Sequence, residues 1–270
     1  MKNESTKINR YSGIVYSHYL EKRQEGEQFT SEHGLSYIFS GELIVIDSGE
    51  KRTFKAGEIL FYRKNFLAKF IKVPDESGSF RCITVIFDQL SLEAFAKQYG
   101  KRVVNPPKSD RAVTLQNSTP LLVHYFQSLA PYFDDILPTD LVNLKRNEAL
   151  MLLIQISPQL QNILFDFGQP GKIDLEAFMQ QHFRFNVDLK RFAYLTGRSL
   201  ASFKRDFEKV FHTTPNRWLQ QKRLEEAWYL IKEKQQRPSD VYHEVGFESL
   251  SHFSYSFKQF FGINPSVVQG

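Results

Sequence analysis

The hydrophobic and polar positions change period several times along the chain. From Leu35 to Phe61 short apolar stretches are cut by small turns. Tyr37-Ile38-Phe39 ends at Ser40-Gly41, Leu43-Ile44-Val45-Ile46 at Asp47-Ser48-Gly49, and Thr53-Phe54 at Ala56-Gly57, before Ile59-Leu60-Phe61-Tyr62. β-Branched and aromatic residues bounded by glycine turns at this spacing predict an antiparallel sandwich or barrel. Phe66 to Val73 and Phe80 to Phe87 extend it, with Pro74 to Ser79 as a loop. After Asp88 the period becomes helical: Leu92, Phe95, Ala96 and Tyr99 share a face, closed by Gly100. Residues 101–117, with Lys101-Arg102 and Pro106-Pro107, read as a connector. Helical spacing returns over Leu121 to Phe133 and Leu141 to Ile156, bounded by Pro138 and Pro158. The apolar face of these two helices suits the β-domain and a second copy of the chain equally. Gly168-Gln169-Pro170-Gly171 reads as a hinge.

Beyond the hinge the chain repeats itself at an offset of 50. Phe203-x-x-x-Phe207-x-x-Val210-Phe211-x-x-x-Pro215 matches Phe253-x-x-x-Phe257-x-x-Phe260-Phe261-x-x-x-Pro265, and Leu200 matches Leu250. Each segment follows a short helix and a glycine. The first unit runs Leu189 to Leu195, Thr196-Gly197, then Ser199 as a helix cap. The second runs Val241 to Val245, Gly246, then a helix opening near Ser249 or Ser251. Helix, tight glycine turn, helix is the helix-turn-helix arrangement, whose second helix can enter a major groove. Between the units Thr214-Pro215 opens a helix predicted to run to Lys234, with Trp218, Leu219, Leu224, Ala227, Leu230 and Ile231 on one face. At 1.5 Å per residue it spans roughly 30 Å, near the ~34 Å of one turn of B-DNA.

Charge sharpens this division. The 270 residues carry a net +5, and residues 171–270 hold fifteen Lys and Arg against eleven Asp and Glu, a net +4, which leaves +1 for the rest. A basic segment beside a near-neutral one fits a polyanionic partner. Met1 to Arg10 is polar, without a secretory apolar core, and the longest apolar run, Ala149 to Ile156, is interrupted by Gln155. Together with the single Cys82, which has no disulfide partner in the chain, this predicts a cytoplasmic protein with no membrane association.

Small β-domains can hold a metal with two or three histidines and a carboxylate. The candidates are His18 and His33, with Glu32 and Glu42, but there is no His-x-His pair, and residues 34–123 contain no histidine. No phosphate-binding glycine loop, activated nucleophile or paired carboxylates stand out. The expectation is therefore no catalytic residue, no metal and no cofactor.

Three stretches carry a family resemblance: Ser199-Leu200-Ala201-Ser202-Phe203-Lys204-Arg205-Asp206-Phe207; Thr214-Pro215-x-x-Trp218-Leu219-x-x-Lys222-Arg223-Leu224; and Val245-Gly246-Phe247-x-x-x-Ser251-His252-Phe253-Ser254 with Phe257-Lys258-x-x-Phe261-Gly262-x-x-Pro265-Ser266. In this order and spacing, residues 172–269 resemble the AraC/XylS family of bacterial transcription regulators. The N-terminal strands resemble the cupin-type sensory domain found in that family. There is similarity also to the subgroup of type III secretion activators, some of which sense protein partners.

The resemblance implies an α+β fold. A cupin-like antiparallel β-barrel (1–105) is followed by a helical connector with possible dimerisation (106–167), then an all-α domain of two helix-turn-helix units joined by a linker helix (172–270). It implies sequence-specific binding of double-stranded DNA and, as an activator, contact with RNA polymerase. Control passes through the N-terminal domain, by a small-molecule effector or a protein partner, in a monomer or a homodimer. The candidate DNA-binding residues are Arg198, Ser199, Ala201, Ser202, Lys204, Arg205, Lys209, Asn216 and Arg217, then Ser251, His252, Ser254, Tyr255, Lys258 and Ser266. Tyr255 stands where the family usually has arginine, and Val268 and Gln269 replace its usual Tyr-Arg ending. Without arginine's bidentate fork, the second unit is expected to hold the DNA backbone more than to read bases. The rival reading is a cupin-like metal-dependent enzyme with an accessory helical domain.

Overall fold

In a computed structural model of the chain, the residues described are 7–11, 13–21, 23–24, 28–47, 50–100, 113–116, 118–133 and 137–268. They divide between two compact units, Met1–Glu25 with Phe29–Gly168 and Gly26–Gln28 with Gln169–Gly270. The predicted elements at Ser48-Gly49, Lys101-Arg102, Pro106-Pro107 and Gln269 lie outside the described residues.

The first unit contains β1 (Lys7–Tyr11), β2 (Ile14–Tyr19), β3 (Arg23–Gln24), β4 (Phe29–Thr30), β5 (His33–Ser40), β6 (Glu42–Asp47), β7 (Glu50–Lys55), β8 (Ile59–Tyr62), β9 (Phe66–Leu67), β10 (Lys69–Val73), β11 (Phe80–Phe87) and β12 (Val113–Gln116). Its helices are α1 (Gln89–Tyr99), α2 (Pro120–Leu129), α3 (Thr139–Ile156) and α4 (Gln161–Leu164). An antiparallel six-stranded sheet runs β1-β2-β11-β5-β8-β12, a four-stranded one β3-β10-β6-β7, and β4 pairs with β9.

The inner strands β2, β11, β5 and β8 of the six-stranded sheet are buried on both faces. Ile83, Val85 and Phe87 of β11 join Leu35, Phe61, Leu122, Phe126, Leu150 and Leu153 in a core beneath the helices. The alternate residues Phe80 and Cys82 join Ile38, Leu43, Val45, Phe54 and Leu60 against the four-stranded sheet. Burial on both sides is why these strands read as nearly continuous apolar runs. The helices α2 and α3 lay their apolar faces on this unit's own sheet, and the Tyr16 hydroxyl, buried under them, donates to the Leu129 carbonyl at 3.1 Å. Helix α1 has the predicted ends: the Asp88 side chain accepts from the Ser91 amide at 2.9 Å, and Gly100 closes it at φ 64°.

Three expectations change. The strands form separate sheets and, among the described residues, do not close into a barrel. The outer strand β7 carries Glu50, Lys51, Arg52 and Lys55, and charges along an edge oppose further pairing. The connector contains β12, paired with β8, because Val113–Gln116 completes the sheet edge despite its lack of periodic signal. The sheet also takes in β1 and β2, upstream of the stretch in which strands are predicted.

His33 lies within this packing, stacked 5.6 Å from Phe61, with Nδ1 accepting from the Lys64 amide at 3.2 Å. Burial, aided by the Lys64 charge, pushes the imidazole down to about 3. Between that value and an unfolded value of about 6.5 the unfolded chain binds the extra proton, so stability falls as pH falls through this window. We expect the melting temperature of the full chain, followed by circular dichroism, to drop between pH 7 and 4. The drop should be smaller in His33→Gln; equal slopes would show that His33 is not the group responsible.

Candidate nucleic-acid interface

The second unit is built from α5 (Leu175–His182), α6 (Leu189–Leu195), α7 (Leu200–Phe211), α8 (Pro215–Lys232), α9 (Pro238–Glu244), α10 (Leu250–Phe261) and α11 (Pro265–Val268). The 50-residue repeat becomes two helix-turn-helix units, α6-turn-α7 and α9-turn-α10. Their second helices start alike: the Ser199 hydroxyl accepts from the Ser202 amide and the Ser249 hydroxyl from the His252 amide, each at 3.2 Å. Both also end in a left-handed residue, His212 at φ 53° and Gly262 at φ 78°.

Helix α8 serves both units. Its N-terminal half places Trp218 against Phe207 and Phe211, with ring centroids 5.6 and 4.6 Å away. Its C-terminal half supplies Leu224, Ala227, Leu230 and Ile231 to a core with Val241, Val245, Phe253 and Phe257, and Trp228 stacks on Phe257 at 5.9 Å. The helix stops at Lys232, two residues short of the expected end, and Gln235 takes a left-handed turn at φ 54°. Its length is therefore about 27 Å.

With Phe203 and Phe207 buried on α7, and Phe253, Ser256 and Phe257 on α10, the opposite faces are left to solvent. On α7, Ala201, Lys204, Arg205 and Lys209 are exposed and Ser202 is half-buried. Arg205 reaches back to Ser202, Nη2 donating to Oγ at 3.3 Å. On α10, Ser251, His252, Tyr255 and Lys258 are exposed and Ser254 is half-buried; Tyr255 keeps 67% of its surface accessible. By repeat position Lys204 and Arg205 correspond to the uncharged Ser254 and Tyr255, whereas Glu208 corresponds to Lys258. The two outer faces are thus both net positive but carry their charge at different positions. Asn216 and Arg217 at the start of α8, and Ser266 on α11, are also exposed.

Arg198 is placed differently. Its side chain is only 10% exposed, with Nε donating to Asp206 Oδ2 at 3.0 Å and Nη1 to the carbonyls of Ile173 and Thr196 at 3.0 and 2.7 Å. This hydrogen bond holds the Asp206 carboxyl below the usual carboxylate range. The side chain braces the turn before α7 and does not join the outward face. Sequence reasoning also passed over Arg223. It follows Leu219 by four residues and precedes Ala227 by four, so a cation falls on the apolar stripe of α8, and that was the available signal.

Residues 192–270 match the family described as a helix-turn-helix domain, and residues 33–163 the family described as the ExsA N-terminal regulatory domain. The HTH-type transcriptional regulator ExsA of Pseudomonas aeruginosa is 28% identical over 241 residues, covering 87% of this chain and 85% of that protein. The chain thus pairs an AraC-type helix-turn-helix domain with the N-terminal regulatory domain of its homologue ExsA, an AraC-family transcriptional regulator. It is a DNA-binding regulator and not an enzyme. The virulence regulon transcriptional activator VirF of Yersinia enterocolitica is 25% identical over 88% of this regulator and 89% of its own length. Wild-type ToxT from Vibrio cholerae, solved with an unsaturated fatty acid, is 13% identical, with a TM-score of 0.45 over 97% of this chain and 96% of that one. Among the described residues no three His, Cys, Asp or Glu side chains gather to hold a metal, and no helix is long and apolar enough to cross a membrane.

Gly246 and Gly262, before and after the second helix of the second helix-turn-helix unit, make opposite demands. At Gly246 φ is +99°, and an added Cβ would stand 2.7 Å from the Arg184 carbonyl oxygen and 3.0 Å from Arg223 Nε. At Gly262 nothing lies within 4 Å, and the first unit accepts histidine at the equivalent cap. Denaturant unfolding of the full chain should show Gly262→Asn costing under about 1 kcal/mol and Gly246→Asn about 1–3 kcal/mol. Equal losses would contradict the crowding at Gly246.

Proposed function

We propose that α7 and α10 enter successive major grooves on one face of a duplex and do unequal work there. The observation that carries this is the charge difference between two otherwise equivalent outward faces. Arg205 bridges O6 and N7 of a guanine, Lys204 contacts a neighbouring base or phosphate, and Ala201 meets a thymine methyl group. Ser202, Lys209, Asn216 and Arg217 hold the adjoining backbone. In the second unit Ser251, His252, Ser254 and Tyr255 offer single hydrogen bonds, and Lys258 and Ser266 take phosphates. Ser199 caps α7, and Arg198 orients the turn from within.

The naming of VirF as an activator supports activation as the sign of control, with RNA polymerase as the recruited partner. The limit between 1–167 and 172–270 fits this division of labour, as does a cytoplasmic location; within 1–167 the proposed connector 106–167 gives β12 to the sheet of residues 1–105. A homodimer is supported by Leu144 and Met151, exposed one above the other on the outer face of α3. A protein partner is the better reading of the controlling signal than a small molecule. The space between the six- and four-stranded sheets is filled by Tyr19, Ile38, Leu43, Val45, Phe54, Leu60, Phe80 and Cys82.

The test is binding of variants to duplexes carrying single-base changes in a site selected by the wild-type chain, at several salt concentrations. Arg205→Ala should cost roughly 1–3 kcal/mol and relax preference at one base pair. Lys258→Ala should weaken all duplexes evenly and lower the salt slope by about one. Tyr255→Ala should change affinity more than preference. An intact profile in Arg205→Ala, with a profile erased in one half-site by Tyr255→Ala, would reverse the roles of the two units.

A further inference from the structure

Arg223 is the one cation on the buried stripe of α8, and its donors reach both helix-turn-helix units. Nε donates to the Phe183 carbonyl at 2.9 Å and Nη2 to the Phe185 carbonyl at 2.8 Å, both in the segment that leads into α6. Nη1 donates to the carbonyl of Gly246 at 3.0 Å, in the turn between α9 and α10. A second link runs beside it, Asn186 Nδ2 donating to Glu248 Oε1 at 2.9 Å. Both links border a cleft of about 510 Å³ between the units, also lined by Asn216, Gln220 and His252.

Apart from these links and the ion pair of Arg184 with Glu226 on α8, the two helix-turn-helix units are joined through α8 by apolar packing, with Trp218 in one core and Leu224 to Ile231 in the other. Apolar contact has no preferred direction and tolerates small sliding and rotation. Hydrogen bonds weaken steeply when misaligned, and a planar guanidinium fixes its acceptors relative to one another. Burial lowers the Arg223 pKa to about 10, so the group stays charged at neutral pH and its hydrogen bonds to the three carbonyls are charge-assisted. Gly246 leaves the room this needs, since a Cβ there would crowd Nε.

We infer that Arg223, assisted by the Asn186–Glu248 link, is a positioning residue that sets the distance and rotation between α7 and α10, and with them the half-site spacing that the protein accepts. This rests on the reading that α7 and α10 enter successive major grooves. Arg223 touches no base in this account; it acts through the backbone of the segment that leads into α6 and of the turn between α9 and α10.

The experiment begins with selection of duplexes from a random-sequence pool by the full wild-type chain. Two sequence blocks at one fixed separation are expected. Inserting two base pairs between them turns one block by about 70° relative to the other and should lower wild-type affinity roughly tenfold. Arg223→Gln should bind a duplex carrying only the first block as wild type does, yet lose under about threefold on the same insertion. Arg223→Lys, whose single ammonium cannot span three carbonyls, should fall between. A tenfold insertion penalty retained by Arg223→Gln would overturn the inference. If Arg223→Gln proves unfolded by circular dichroism, Asn186→Ala decides: a reduced penalty supports the inference and an unchanged one overturns it. A wild-type selection that yields a single block removes the two-groove reading, and the role of Arg223 with it; that result is recognisable before any variant is tested.

Discussion

The second unit depends on one shared helix and the half-buried arginine along it. Helix α8 gives each helix-turn-helix unit an apolar anchor, and Arg223 ties the backbone of both to the same rigid plane. A buried charge is tolerated only with its hydrogen bonds made, so the arginine and its three carbonyls stand or fall together. The same demand explains Gly246, whose missing side chain admits the guanidinium. A repeat of two small helical units, each too small for a large core of its own, thereby becomes one body with two outward faces.

Duplication supplied the scaffold of those faces, and divergence supplied their difference. The buried positions of α7 and α10 kept their aromatic residues, because Phe207 with Trp218 and Phe257 with Trp228 hold each unit to α8. The outward positions were free to change without cost to packing, so Arg205 in one unit faces solvent where Tyr255 does in the other. Under the proposed two-groove reading, base reading and backbone holding separate in this way onto two helices of one fold. The N-terminal sheets follow the opposite logic: their facing sides are filled by large side chains.

Much of this was legible in the sequence. The repeat, its caps at Ser199 and Ser249, the turn glycines Gly197 and Gly246, and the limits of α1 at Asp88 and Gly100 are local signals set by backbone geometry. What was not legible depends on distant partners. Strands β1 and β2 pair with the rest of a sheet whose other members lie far along the chain, and β12 has order only as the edge of β8. Open sheets and a closed barrel share one alternation pattern, and the difference lay in the charged edge of β7. Helix α5 carried a readable sign in Asp174, which caps it through the Ala177 amide at 2.9 Å, beside Leu175 and Met179 on its buried face. Arg198 and Arg223 look from sequence like any arginine near a reading helix; only the position of Asp206 and of five carbonyls turns them inward.

The central claim is that two unequal helices grip one face of a duplex in successive major grooves. Hydroxyl-radical footprinting of the full chain on a selected duplex tests it most directly. The account predicts two protected patches on the same face, about 10–10.5 base pairs between centres. One patch alone, or two on opposite faces, would contradict it.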